Sequence, residues 1–478
     1  MSGLRSQRPA PSAPLPPASH HLSSPFELTL QEVAPGGDAV GRRDDGLVVF
    51  VPGGIPFDRV VVRLHSHTRS FARAELLQVV SPGPDRVVPA CSLAVPQPGQ
   101  TAAACGGCPL MALSRPAQLA AKQSWVERAL RKLAVEVRPI LAAAEPLGYR
   151  LRARLVVRGG RLSFAAAGSH RGAALSACPV LVPALEHALL HNSDELATAL
   201  GEGGVLSGLC GWHAGQTAIH LAVELTRHSR RAVVRSALQR KLDRREIVGA
   251  SVRSDATLSP REEEILGVSV VDLSAPTDRA ASTGELGPLF ASAAGFAQAC
   301  AAGHTLLPAL VADAACGPFS DGTRPALPQP HIVELFSGSG NLTRALRPLA
   351  AKLTCIEADP EAVARAQALF GNTLDLRAEP VENALLRLAA QGTPASTVVL
   401  DPPRAGARDA IALVPRLFAA RVVYVSCDVM TLARDLAVLC DAGYRPRAVQ
   451  PLDLMPHTAE VECVAVCDRD AAAGSTAT

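Results

Sequence analysis

Aromatic side chains are scarce in this sequence: Phe, Tyr and Trp together make up 3% of its 478 residues. Cores built with so few rings must lean on Ala, Leu and Val, so Ala-rich, closely packed helices are expected. No run of about 18 apolar residues occurs, which argues against a membrane-spanning helix. The opening stretch, MSGLRSQRPAPSAPLPPASHHLSSP, lacks the continuous apolar core of a secretory leader and reads as a disordered tail over residues 1–25. There is no excess of one charge either. A formal net charge of +3 is too small to identify a partner, so local clusters must do so. Cysteine, by contrast, is plentiful. Twelve cysteines without a secretion signal point to the reducing cytoplasm, where paired cysteines more often hold metal or perform chemistry than form disulfides.

The length suits several domains, and the patterns divide the chain accordingly. Residues 26–82 show short alternating apolar runs (FELTLQEV, GLVVFVPGG, DRVVVRLHSH, FARAELLQVV) broken by Gly, Asp and Pro, the pattern of a small β-barrel. Arg42, Arg43, Arg63, Arg69 and Arg73 lie within it, as on a face that meets phosphate or simply water. Residues 83–285 form a central α+β region. It opens with a turn-rich loop carrying Cys91, Cys105 and Cys108, followed by a helical stretch (AQLAAKQSWVERALRKLA) with Lys122, Arg128, Arg131 and Lys132 expected on the exposed side. A hairpin then turns at Gly159 and Gly160, with five Arg between Arg150 and Arg161, a density that favours nucleic-acid contact. Residues 180–285 give mixed signals. Residues 286–468 change to strands alternating with helices, the signature of a doubly wound parallel sheet, with helices expected from Asn341, Asp359, Val381, Arg408 and Thr431. Two last strands suit an antiparallel pair, and 469–478 reads as a second tail.

The chemistry collects at the strand ends of that sheet. VELFSGSGNLT turns from strand to helix through Gly338 and Gly340, which let backbone approach a ligand. Glu357 ends the next strand, where a carboxylate can accept ribose hydroxyls. With Thr343 where a third glycine of the dinucleotide fingerprint would fall, the turn favours S-adenosylmethionine over NAD. Asp401 ends the fourth strand in VVLDPPRAG. Cys427 ends the fifth, ahead of a helix whose amides and dipole are expected to favour a thiolate. Glu460 and Glu462 follow in PHTAEVE, and periodicity alone cannot choose between them. A thiol, a carboxylate and a methyl donor define a reaction. C5 of a pyrimidine is too weak a nucleophile to take a methyl directly; thiolate addition at C6 activates it, and a base then removes the C5 proton.

With these residues in place, the sequence resembles the RNA 5-methyluridine (uracil-C5) methyltransferases, in particular the iron–sulfur enzymes acting on 23S rRNA. The resemblance runs from about Phe26 to Val466 through CGGC, GYRLRARL, FAQA, LFSGSGNLT, LDPPRAG, YVSCDVMTLARDL and DLMPHTAEVE. It implies a Rossmann-like class I methyltransferase domain with an N-terminal OB-like TRAM barrel. It also implies Cys427 as nucleophile, Glu462 as base, and Gln298, Phe336, Asn341, Glu357 and Asp401 around S-adenosylmethionine. Cys91, Cys105, Cys108 and Cys178 would hold a [4Fe-4S] cluster, although their spacing alone would serve zinc equally. The loop between Cys91 and Cys105 is longer than the family's. Cys300, Pro380, Asp428 and Val429 stand where the family usually has other residues, and an acid beside Cys427 is expected to oppose its ionisation. The implied partner is structured RNA, 23S rRNA ahead of tRNA, for a monomeric cytoplasmic enzyme. The competing reading is a non-catalytic RNA-binding or assembly factor on the same fold, which would predict loss of the nucleophile or base. Both are present.

Overall fold

A computed structural model describes residues 24–96, 104–166, 172–254, 263–274, 286–318, 325–392 and 394–470. The expected tails fall almost wholly outside these residues, as does the middle of the loop between Cys91 and Cys105. Among the described residues, no helix is long and apolar enough to cross a membrane.

Strands Phe26–Val33, Ala39–Arg42, Val48–Val51, Arg59–His67 and Phe71–Ser81 close into a barrel. Alternation sends Leu28, Leu30, Val49, Val51, Val60 and Val62 inward to form its core. The buried Asp58 carboxylate fastens the barrel's exit by accepting the N–H groups of Ile55 (2.9 Å) and Gly83 (2.8 Å) and pairing with Arg86. The barrel's arginines largely satisfy one another's neighbours: Arg43 pairs with Asp45, Arg63 with Glu75 and Arg73 with Asp38.

The helix after the cysteine loop runs Arg115–Leu130 and is tied to the barrel by Trp125, whose indole N–H donates to the Val33 carbonyl at 2.8 Å. One expectation about it fails. Lys122 is completely buried rather than exposed, because the carboxylate of Asp453 reaches its ammonium at 2.7 Å. Arg128, Arg131 and Lys132 remain on the solvent side.

A nine-stranded sheet occupies the centre, with Arg152–Arg158, Val205–His213, Gln216–Glu224 and Gly249–Arg253 as consecutive neighbours. The strand Val205–Gly211 is buried along both faces, so it carries no alternation. A Cβ on Gly208 would meet Leu185 at 2.7 Å, and one on Gly211 the Asp272 carbonyl at 2.6 Å, so the glycines allow this close packing.

The catalytic sheet orders its strands Asp375–Ala378, Leu353–Glu357, Ile332–Leu335, Thr397–Leu400, Arg421–Ser426, Glu462–Arg469 and Tyr444–Asp453. The first five are parallel, Glu462–Arg469 runs antiparallel to them, and Tyr444–Asp453 pairs antiparallel with it and so runs with the first five. Two short strands from the central region, Glu136–Val137 and Leu141–Ala142, pair with the outer strand Tyr444–Asp453. The helices expected from Asn341 and Arg408 shrink to single turns, Thr343–Leu346 and Arg408–Ile411, each passing into a 3₁₀ turn that contains Pro348 or Pro415. A proline removes the amide that a continuing helix would need.

Candidate active site

Parallel registration brings the ends of three neighbouring strands together, since Leu335 pairs with Leu400 and Leu400 with Tyr424. The residues just beyond them, the glycine turn, Asp401 and Cys427, therefore share one edge. The antiparallel strand pairs Cys463 with Ser426, which sets Glu462 beside Cys427. These groups line a cavity of about 1480 Å³, together with Gln298, Phe336, Asn341 and Glu357.

The glycine turn is built from two glycines with different duties. Gly338 (φ 56°) has open space where a side chain would be, so its left-handed backbone faces the cavity. Gly340 (φ 96°) lies against Phe370, whose ring would be 2.5 Å from a Cβ. Phe336 is also left-handed (φ 59°), a conformation costly for a non-glycine residue and often found at ligand sites. Glu357 is held by the N–H groups of Gly338 and Asp359, both at 2.9 Å, leaving its remaining lone pairs for a ligand. Asn341 donates to the Gly303 carbonyl at 2.9 Å, and Gly303 packs on Gln298, joining two of the named residues.

Three acids, Glu462, Asp401 and Glu460, surround the thiol. Burial pushes the Asp401 carboxyl up to about 7 and that of Glu462 well above the carboxylate range, and Asp401 raises Glu462 further. The Cys427 thiol is pushed up to about 12, first by burial and then by Glu462, while Arg404 opposes the shift. The expected helix-terminus thiolate is thus not the resting form: the helix Val429–Asp441 does begin just after Cys427, but desolvation outweighs its dipole. Asp428 is not the reason. It caps that helix, accepting the N–H groups of Met430 (3.0 Å) and Thr431 (2.8 Å), and so points away from the thiol.

Arg404 is the residue the sequence reading left without a role. It pairs with Glu460 and lies against Cys427. The two late acids differ in setting: the last strand begins at Glu462, which is buried, while Glu460 lies outside it and is engaged by arginine. Glu334 was missed as well. Burial raises its carboxyl to about 8; one oxygen accepts from the Thr343 hydroxyl at 2.7 Å, and the other has no partner among the described residues. An acid inside the apolar strand HIVELF was the available signal.

At the far end of the same cavity stand Cys91, Cys105, Cys108 and Cys178. Cys105, Cys108 and Cys178 are buried, and burial pushes Cys108 up to about 12 and raises the other two. The Gly107 N–H points to the Cys105 sulfur at 3.4 Å. Arg150 is near enough to favour ionisation of all three. Among the described residues, no three His, Cys, Asp or Glu side chains converge as the ligands of one metal ion do. The cavity wall also carries Arg73, Arg150, Arg152, Arg154, Arg365 and Arg404, with Arg150 near the cysteines and Arg404 beside Cys427. Of the five hairpin arginines, only Arg150, Arg152 and Arg154 face it; Arg158 turns to Glu202.

Comparison with known proteins agrees with this arrangement. The profile described as tRNA (Uracil-5-)-methyltransferase matches residues 328–469, and that of the TRAM domain matches residues 24–77. The 23S rRNA (uracil(1939)-C(5))-methyltransferase RlmD of Edwardsiella ictaluri is 31% identical over 447 residues, covering 90% of this chain and 93% of that protein. The chain belongs to the RNA (uracil-C5)-methyltransferase family. An uncharacterized RNA methyltransferase of Gloeobacter violaceus is 30% identical, over 95% of this chain and 99% of that protein. Among solved structures, the tRNA (uracil-54, C5)-methyltransferase of Pyrococcus abyssi, in complex with S-adenosyl-L-homocysteine, shares the fold. Its TM-score is 0.64 at 18% identity, over 92% of this chain and all of that one. The protein is an S-adenosylmethionine-dependent enzyme that methylates C5 of uridine in RNA.

Proposed function

We propose that the target is a uridine of 23S rRNA, with Cys427 as nucleophile and Glu462 as base. The observation that carries this reading is the adjacency of Cys427 and Glu462 at the end of the cavity that also holds the glycine turn and Asp401. S-adenosylmethionine supplies an activated methyl on a sulfonium; Glu357, Asn341, Gln298 and Phe336 bind and orient it. A uridine base must leave its stack to reach a thiol this deep. The positive charge of the sulfonium and of Arg404, already beside the thiol, draws the Cys427 and Glu462 protons off to solvent, so that a thiolate adds to C6 and a carboxylate is free to act as base. The resulting enolate-like C5 takes the methyl, Glu462 removes the C5 proton, and breakage of the C6–S bond restores the C5=C6 double bond and the thiolate. Asp401, pushed by burial to about 7, keeps a substantial protonated fraction at neutral pH and in that form is suited to donating a hydrogen bond to a uracil oxygen. The arginines of the cavity wall suit an RNA backbone.

The four cysteines, which do not converge as the ligands of a single metal ion do, are read as ligands of a larger [4Fe-4S] cluster, which would cross-link their loop to the segment after the hairpin. Their shared cavity wall, the N–H aimed at sulfur and the nearby guanidinium suit an anionic, thiolate-bound group. The enzyme is read as a cytoplasmic monomer. The test is methylation of 23S rRNA and tRNA transcripts with labelled S-adenosylmethionine, with the product located by sequencing. Label at one uridine of 23S rRNA is expected; label only in tRNA would reassign the substrate, and a product at any atom other than C5 would overturn the mechanism.

A further inference from the structure

The turn Asp453–Thr458, which leads into Glu462, is gripped from outside its own domain. The Met455 carbonyl accepts from the Lys122 ammonium at 3.1 Å, that of Pro456 from the Tyr149 hydroxyl at 3.0 Å, and that of His457 from the Leu110 N–H at 2.9 Å. The His457 N–H donates to Gln118 Oε1 at 3.0 Å, while Gln118 Nε2 lies 3.0 Å from His457 Nδ1. The Asp453 carboxylate receives Lys122 at 2.7 Å and also Arg115. Arg115, Gln118 and Lys122 share one face of the helix Arg115–Leu130, and Gln118 and Lys122 are completely buried.

Burying an amide and an ammonium is costly unless both are fully bonded, and apolar side chains would attach a helix to a sheet at less cost. What these two residues add is direction: Lys122 reaches the Asp453 carboxylate and the Met455 carbonyl, while Gln118 accepts the His457 N–H and donates to the carbonyls of Leu110 (3.1 Å) and Leu113 (2.8 Å), tying the turn to the segment ahead of the helix. That turn needs an external hold: His457 adopts φ 67°, a left-handed conformation unfavourable for a residue with a Cβ. Neither residue lines the cavity, so neither meets substrate. Cys427, by contrast, is positioned by its own strand and by the helix that Asp428 caps.

We propose that Gln118 and Lys122 are positioning residues for proton removal: they fix the 453–458 turn and thereby aim Glu462 at C5, while leaving thiolate addition and methyl transfer to other elements. This rests on the reading of Glu462 as the base.

The step separates cleanly in experiment. When the base is misplaced, C6–S and C5–CH₃ bonds still form, but the C5 proton stays and the RNA remains covalently attached. RNA containing 5-fluorouridine stalls at the same point in any enzyme, because fluorine cannot leave as a cation. Gln118→Ala and Lys122→Met, purified as full-length protein, are compared with wild type and with Glu462→Gln. Both variants are expected to lose turnover on uridine RNA on the order of 10²-fold in kcat with KM unchanged. They should accumulate a covalent RNA adduct on uridine RNA, and trap 5-fluorouridine RNA at the wild-type rate per folded molecule. Combining Gln118→Ala with Glu462→Gln should add little further loss. Wild-type turnover in both variants would overturn the proposal. So would a fall in 5-fluorouridine trapping matching the fall in turnover, which would mark a merely structural role. If the wild type itself forms no fluorouridine adduct while methylating RNA, the underlying mechanism fails instead.

Discussion

The two ends of the cavity hold thiols shifted in the same direction for the same first reason, yet their surroundings differ. Burial pushes both Cys427 and Cys108 up to about 12. Around Cys427 the neighbours are acids, Glu462 and Asp401, with Arg404 as the counterweight. Around Cys108 they are other thiols, Cys91, Cys105 and Cys178, with Arg150 as the counterweight. The first setting keeps one nucleophile protonated until positive charge arrives with the methyl donor. In the second, burial raises Cys105, Cys108 and Cys178 together, as suits thiols that on the proposed reading give up their protons only to metal. A high thiol pKa alone therefore does not distinguish a catalytic cysteine from a structural one; the neighbours do.

The comparison can be broken at either end. Cys427→Ala should abolish methylation, by ~10⁴-fold or more, and leave iron content unchanged. Glu462→Gln should slow turnover by ~10²–10⁴-fold and leave RNA covalently attached. At the other end, anaerobically purified protein should contain iron and sulfide at ~4 each per chain, and Cys108→Ser should lose both; one zinc per chain would instead assign the cysteines to a single ion. Arg404→Gln should lower kcat/KM by ~10-fold near neutral pH. Arg404 holds the Cys427 pKa down, so its loss raises that pKa and should move the rise of kcat/KM to higher pH in a pH–rate profile. The smallest effect is expected for Asp428→Ala, which removes a helix cap: thermal or urea unfolding should show a loss of ~1 kcal/mol, with the pH profile of activity unmoved.

Much of this was legible because strand ends carry the chemistry. The parallel alternation placed Gly338, Glu357, Asp401 and Cys427 at one edge before any coordinates, and the barrel followed from its period of two. What was not legible depends on partners distant in sequence. Lys122 looks like a solvated helical lysine until Asp453, 331 residues away in the sequence, is folded against it. Asp428 looks like a threat to the thiolate because sequence shows adjacency and not direction; its side chain turns back onto the helix amides. The choice between Glu460 and Glu462 needed the position where the last strand begins. The middle strands of the central sheet, Val205–His213, Gln216–Glu224 and Gly249–Arg253, resisted reading because they are covered on both faces over most of their length, which erases the alternation that marks a strand.

The central claim is that Cys427 bonds to C6 of the target base during transfer. The most direct measurement is digestion and mass spectrometry of the complex formed with S-adenosylmethionine and 5-fluorouridine-substituted 23S rRNA. A cross-link at Cys427 carrying one methylated fluorouridine is predicted, and it should be absent from Cys427→Ala. A cross-link at another cysteine, or an equal yield from Cys427→Ala, would contradict the account.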